Sequence, residues 1–324
     1  MTDKPKFVSV GAAVQDVFLS KSEALDPVHE DDGSDYAELK MGGKADVDQI
    51  NFSTGGGATN AAVTFARQGL DSYFMGSVAD DPAGKAVLAD LKQENVNATV
   101  TKSGDYNTGY SVILLANNGE RTILTYRGAS THYTVDNFDM NELGHLDWMY
   151  VSSVSGRIEV LKKIFPQARS HNIKIAYNPG KAELKQANDL KPLLKEFVDV
   201  LIVNKEEMQR LVEGDTLEEL AVAGLEFSDT VIVSDGPNGV GATDGKTYIS
   251  AGMYEDVPVL DRTGAGDAFG SGFVSQIAQG KSLRRAVTFA SANSTSVVQY
   301  IGAKAGILNS DAKIHEMPIK EKEL

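Results

Sequence analysis

Short apolar runs alternate with longer stretches of helical period through most of this chain. "KFVSVGAAV" reads as a strand, and "NAAVTFARQGL" as a helix that ends at Gly69. "DSYFMGSVA" is strand-like, and Pro82 opens a helix in "PAGKAVLADLKQENV". Further on, "DWMYVSSV", "NIKIAYNP", "DVLIVN" and "DTVIVSDG" are apolar strands, with helical pieces such as "IEVLKKIFPQARS" between them. Consecutive parallel strands need a crossover, and a helix supplies it. The alternation therefore predicts an α/β fold with a mostly parallel, doubly wound sheet and helices on both faces.

Two stretches break this pattern. Residues 17–54 are polar, acidic and short in period. Residues 107–128, "NTGYSVILLANNGERTILTYRG", carry a hairpin signature in which Asn118 and Gly119 suit a type I′ turn. Both read as strands of a smaller β layer beside the main sheet. The charged tail "EMPIKEKEL" is expected to fray.

A net charge of −14 over 324 residues argues against nucleic acid as a partner, because phosphate contacts need clustered Lys and Arg. An anionic ligand would have to be held by backbone amides, a metal or a few placed cations. With no cysteine, disulfides, thiolate metal sites and cysteine nucleophiles are excluded, which fits a cytoplasmic protein. The apolar run in "MTDKPKFVSVGAAVQDVFLS" is too brief and broken for a signal peptide or membrane span, so no membrane partner is expected. The five histidines show no metal-ligand spacing.

The chemistry concentrates in glycine-rich stretches. "DRTGAGDAFGSGF" places Gly264, Ala265 and Gly266 where a turn enters a helix, after the strand-like "MYEDVPVL", with Asp267 in the first helical turn. Free N–H groups and the helix dipole make such a turn an anion site. A carboxylate there repels phosphate, yet suits a base that takes a proton from a hydroxyl attacking phosphate. It equally suits a simple first-turn acid. "STGGGATNAAVTFARQG" falls short of the dinucleotide fingerprint at Asn60, which either bonds a polyol or caps the helix. "DGKT" is no P-loop, since Val240 stands where glycine is required and "TYISAG" reads as a strand. In "VLIVNKEEMQRL", Asn204 and Glu207 have the spacing of a capping box, and also of an amide and carboxylate that hold Mg²⁺ through water.

Together these pieces resemble the ribokinase-like (PfkB) family of carbohydrate and nucleoside kinases. "DRTGAGDAFGSGF" resembles its C-terminal signature. "GGGATNAAVTFARQG" followed by "GSVADDPAGKAVLADL" resembles its N-terminal one, with one variation in spacing between Gly76 and Gly84. "NKEE" resembles its N-x-x-E motif, and "VSDGPNGV" its nucleotide-binding turn. The motifs stand in the family's order over nearly the whole chain. The resemblance implies a Rossmann-like three-layer α/β/α core, over residues 1–16, 55–106 and 129–324, and a β-sheet lid from residues 17–54 and 107–128.

It also implies roles. Asp267 is the general base, and Gly264, Ala265 and Gly266 form the anion hole over the γ-phosphate of ATP. Asn204 and Glu207 organise Mg²⁺, and Ser234, Gly236 and Gly239 line the nucleotide site, with Asn293 near the adenine. Asp16, Gly55, Gly56 and Asn60 hold sugar hydroxyls. Asp261 and Thr263 border a potassium site with backbone around Gly302 to Gly306. The lid closes over the acceptor, and family members often dimerise through it. Ribokinases proper carry Lys where this chain has Gly57, a polar residue at Val14, and an acidic residue at Ser152 or Ser153. Those departures set ribose itself in question. Arg262 adds charge beside the anion hole, and Arg127 ends the lid hairpin. The resulting expectation is an ATP-dependent kinase that phosphorylates a hydroxymethyl group of a fructose-, ribose- or keto-sugar-acid-like acceptor. The alternatives are an adenosine-like nucleoside as acceptor, a catalytically silent sensor, or a dinucleotide-dependent oxidoreductase.

Overall fold

A computed structural model describes residues 4–26, 28–29, 35–116, 120–134, 138 and 143–324. The first half of the chain forms β1 (Lys6–Val10), β2 (Val14–Ser20), the short pair β3 (Val28–His29) and β4 (Asp35–Tyr36), and β5 (Gln49–Gly55). There follow α1 (Gly57–Arg67), β6 (Asp71–Ala79), α2 (Pro82–Gln93), β7 (Asn97–Ser103), β8 (Gly109–Leu115) and β9 (Arg121–Tyr126). The strand β10 (Trp148–Val151) then alternates with α3 (Ile158–Ser170), β11 (Lys174–Tyr177), α4 (Lys181–Leu184), α5 (Ala187–Phe197) and β12 (Val200–Asn204). The remainder is α6 (Lys205–Met208), α7 (Leu217–Gly224), β13 (Thr230–Ser234), β14 (Val240–Thr243), β15 (Thr247–Ala251), α8 (Ala265–Ala278), α9 (Leu283–Val297) and β16 (Ile319–Glu323).

The large sheet has ten strands in the order β16-β15-β14-β13-β12-β11-β10-β1-β6-β7. Strands β7 through β13 in that row run parallel, and β14, β15 and β16 are antiparallel additions. Consecutive residues of a strand point to opposite faces, and here each face has its own core. Phe7, Trp148, Tyr150 and Ile202 pack with Phe65 of α1, Phe273 of α8 and Val287 of α9. Their neighbours Val8, Met149, Val151 and Leu201 pack with Leu161 and Phe165 of α3 and Leu194 of α5. This is the three-layer α/β/α architecture, with a separate four-stranded sheet in the order β5-β2-β8-β9 beside it.

The small sheet is two-faced. Asp16, Phe18, Ser53, Ser111 and Arg121 fall on its inner face by register. On the alternate positions Ile50, Phe52, Leu124 and Tyr126 are exposed, at 49% or more of their surface. Strand β2 starts at Val14 and so takes Asp16 out of the segment expected for the core. The hairpin pairing of β8 with β9 forms, whereas its Asn118–Gly119 turn lies outside the described residues.

Two expectations fail. "MYEDVPVL" is no strand: after β15 the chain runs irregularly to α8, Pro258 has no N–H to give a ladder, and Leu260 donates instead to Val298 O (2.8 Å). The tail does not fray either. Ile319–Glu323 pairs antiparallel with β15, Met317 is buried, and Lys322 reaches Glu218 at 2.6 Å. Its charges suit an edge strand, which must resist pairing with other chains.

Candidate active site

Helix α8 begins on a residue that only glycine can be. Gly264 has φ of +80°, and a Cβ there would collide with Ala303. The N–H of Ala265 bonds to Arg262 O (3.3 Å) and that of Ala268 to Gly264 O (2.8 Å). No described residue accepts from the N–H groups of Gly266 and Asp267, which are left to meet a ligand at the positive end of the helix. Asp267 is half-buried, and its Oδ2 accepts from Asn60 Nδ2 at 2.8 Å. Burial pushes its carboxyl above the ordinary aspartate range, and the Asn60 bond partly offsets that. Asn60 is itself buried, and its Oδ1 has no partner. Beneath lies Tyr150, whose buried phenol is raised far above its ordinary range by desolvation and stays neutral.

A polar strip leads from this pair to the small sheet. Gly57, at the start of α1, is so close that a Cβ would lie 3.1 Å from Asp267 Oδ1 and 3.0 Å from Ser152 Cβ. Gly56 (φ +100°) lets the turn pass against Ala12, and Gly55 abuts the Asp16 carboxylate. Asp16 is only 4% exposed, and burial raises its pKa against the Ser111 hydroxyl and the charge of Lys304. Lys304 Nζ is buried on Thr54 Oγ1 (2.6 Å) and Asp90 Oδ2 (3.0 Å). Asp16, Gly55, Gly56 and Asn60 thus come together on one side of Asp267. Ser152 faces the strip, while Ser153 turns away to Glu183.

Glu183 is a residue that sequence reasoning missed. Fully buried, it accepts from the N–H groups of Val154 (2.7 Å), Gly156 (3.0 Å) and Gly180 (3.0 Å) and from the Ser153 hydroxyl (3.0 Å). It ties the loop after β10, which carries Ser152, to the loop after β11. Nothing in "KAEL" signals such a role.

On the other side of Asp267 opens a cleft of ≈ 360 Å³, lined by Ser234, Gly236, Gly239, Arg262 and Gly266. Its outer wall is the irregular segment containing Tyr254, Glu255 and Val259, also unforeseen. Tyr254 stacks on His315 (4.3 Å between rings), and His315 Nε2 meets Glu255 Oε1 at 2.5 Å, which braces that wall. Asn204 ends β12 in register with Ser234. The capping box is formed: Asn204 Oδ1 accepts from Glu207 N–H, and Glu207 Oε2 from Asn204 N–H, both at 2.9 Å. Burial raises the Glu207 pKa. The second oxygen of Glu207 is not used in the box, so the pair fits a water-mediated Mg²⁺ site.

Three expected site residues are engaged in other contacts. Asn293 is fully buried and does not line the cleft; its Nδ2 donates to Ala268 O and its Oδ1 accepts from Leu308 N, both at 2.8 Å. Ser294 and Thr295, one turn face away, reach the cleft instead. Asp261 and Thr263 make a closed turn, with Asp261 Oδ1 accepting from Thr263 N–H (2.9 Å) and Oγ1 (2.7 Å) and Oδ2 from Gly302 N–H (3.0 Å). No cluster of three or more His, Cys, Asp or Glu that could hold a metal occurs among the described residues. Among them, too, no helix is long and apolar enough to cross a membrane.

A carboxylate between a polar strip and a cleft that ends on a helix N-terminus is the arrangement of a phosphotransferase with an alcohol acceptor. The model of the pfkB family of carbohydrate kinases matches residues 24–309, and the chain belongs to that family, a sugar or nucleoside kinase of ribokinase-like fold. That sets aside the dinucleotide reading of "GGGATN". The chain is 24% identical over 302 residues to an ATP-dependent 6-phosphofructokinase of Thermoanaerobacterium thermosaccharolyticum, covering 89% of each. It is 26% identical over 258 residues to a ribokinase of Bacillus subtilis, covering 78% of this chain and 84% of that one. The structure is similar to that of adenosine kinase from Sinorhizobium meliloti, with a TM-score of 0.77, 20% identity and 93% and 96% of the two chains covered.

Proposed function

We propose that this chain is an ATP-dependent kinase that transfers the γ-phosphate to a hydroxymethyl group of a sugar. The observation that carries the reading is the Asn60–Asp267 bond at the junction of strip and cleft. Asp267 takes the proton of the attacking hydroxyl, and its raised pKa brings its basicity nearer to the working pH. Asn60 holds that carboxylate in place, and its own Oδ1 is buried without a partner, ready to take a hydroxyl donor. The N–H groups of Gly266 and Asp267 face the phosphate, where charge develops as the bond to the nucleotide breaks. Ser234, Gly236 and Gly239 wall the nucleotide, and Arg262 adds a positive charge beside it. Asn204 and Glu207 would hold Mg²⁺, which, when bound, would neutralise phosphate charge.

Asp16 and Asn60, with Ser152 beside them, offer a carboxylate, an amide and a hydroxyl, a set suited to a polyol. The inner face of the small sheet covers that strip, and its closure excludes water from the phosphate. Its outer face, with Ile50, Phe52, Leu124 and Tyr126, is the surface we assign to a second copy of the chain, checked by light scattering in solution. The kinase reading is tested by ADP release from Mg-ATP across sugars, sugar phosphates, keto-sugar acids and nucleosides. A sugar that drives turnover supports it, a nucleoside moves the acceptor class, and silence with every acceptor overturns it.

A further inference from the structure

Asp261 is fully buried, and it lies at the entrance to the Gly264–Gly266 turn. Its three hydrogen-bond donors, Thr263 N–H, Thr263 Oγ1 and Gly302 N–H, are all neutral. A nearby positive charge lowers the cost of such a desolvated carboxylate further. Here that charge comes from the small sheet. Arg121, the first residue of β9, pairs with Leu115 on the inner face and brings its Nε within 3.8 Å of Asp261 Oδ1. Its side chain is 24% exposed, and Nε is buried with no hydrogen-bond partner, so the guanidinium is held near the carboxylate by charge.

This arrangement does not fit a potassium ion at Asp261. Such an ion needs oxygen lone pairs, and three of the carboxylate's roughly four are taken by N–H and O–H donors, with the guanidinium beside Oδ1. It would also sit next to a guanidinium, and like charges in a buried site repel strongly. We infer that the lid's Arg121, and not a monovalent metal ion, is the cation that sets the anion-hole turn, so that this kinase works without potassium. Arg121 is a positioning residue: it acts through Asp261 and Thr263 on the backbone that follows. Because it belongs to the lid, its charge reaches the turn only when the small sheet is seated. The inference rests on the kinase reading for what the turn binds, but not for the cation that holds it.

The test compares KCl with N-methylglucamine chloride at equal ionic strength, for the native protein, Arg121→Ala and Arg121→Lys. Melting is measured first, without nucleotide or acceptor, so this arm stands even if no acceptor is found. The native protein is expected to melt at the same temperature in both salts and, given an acceptor, to turn over at rates within about twofold. Arg121→Ala is expected to lose about tenfold in kcat/KM, roughly 1.4 kcal/mol. Part of that should return with methylguanidinium, and Arg121→Lys should retain more than Arg121→Ala. A potassium-specific rise in the melting temperature of the native protein would overturn the inference. So would an Arg121→Ala variant that folds and keeps full kcat/KM.

Discussion

Asn60 and Asp267, 207 residues apart in the chain, share a hydrogen bond of 2.8 Å from amide nitrogen to carboxylate oxygen. It joins the first turn of α1 to the first turn of α8. Helix packing supports it deeper down, where Ser271 Oγ donates to Thr64 Oγ1 at 2.9 Å. The carboxylate is thereby fixed by elements, not loops, which is what a group that must meet a hydroxyl within hydrogen-bonding reach requires.

Replacing Asp267 by Asn keeps the shape and removes the proton acceptor. Turnover is expected to fall by about 10²–10⁴-fold, the usual contribution of general base catalysis. Calorimetry of ADP binding should give nearly the native affinity. A variant with near-native kcat would exclude Asp267 as the base.

The raised pKa of Asp267 has two signs to check. The base must be ionised, so kcat should decline on the acid side through a pKa above 3.8. For stability, the folded protein holds the proton more tightly than the unfolded chain does. Stability therefore falls as pH rises from the unfolded pKa through the raised folded one, and stays lower above it. Asp267→Asn should accordingly melt above the native protein at neutral pH, with the gap closing in acid. Calorimetric melting across pH reads this directly, and a variant that melts lower at neutral pH would contradict it.

Gly57 leaves its neighbours just enough room. In Gly57→Ala the new methyl must push Asp267 Oδ1 and Ser152 from 3.1 and 3.0 Å. A displaced carboxylate is expected to lower kcat about tenfold, with KM for ATP unchanged. Steady-state kinetics with ATP and acceptor varied separately would show it. A rise in KM for ATP alone would place the strain on the wrong side of the site.

Asn293→Ala removes both buried hydrogen bonds to Ala268 and Leu308. The variant is expected to lose about 2 kcal/mol of stability in urea unfolding, and to keep its KM for ATP within about twofold. An unchanged urea midpoint with a tenfold higher KM would return Asn293 to the adenine.

Most of the parallel sheet could be read from the chain because its inner strands are apolar runs joined by stretches of helical period, whereas the edge strand β7, "NATVTKS", carries no such signal. "MYEDVPVL" misled because its apolar residues serve equally well to wall a cleft. The tail misled in the opposite sense, since "IKEKE" is too charged for a core strand but suitable for an edge. Within the site, the glycine turns declared themselves through residue type. Glu183, Lys304 and Arg121 did not, because a buried ionic partner is defined by what lies across space and no local spacing encodes it. Asn293 was placed by motif, and the helix face it occupies turned it one step from the cleft.

The long separation of Asn60 and Asp267 also orders events in time. Contacts so distant in sequence form late, after local elements and short loops have closed. On the proposed mechanism, a chain still being synthesised can complete β1 through β13, yet it lacks its base until residue 267 has emerged and α8 has docked on α1. On that mechanism, partly made molecules transfer no phosphate.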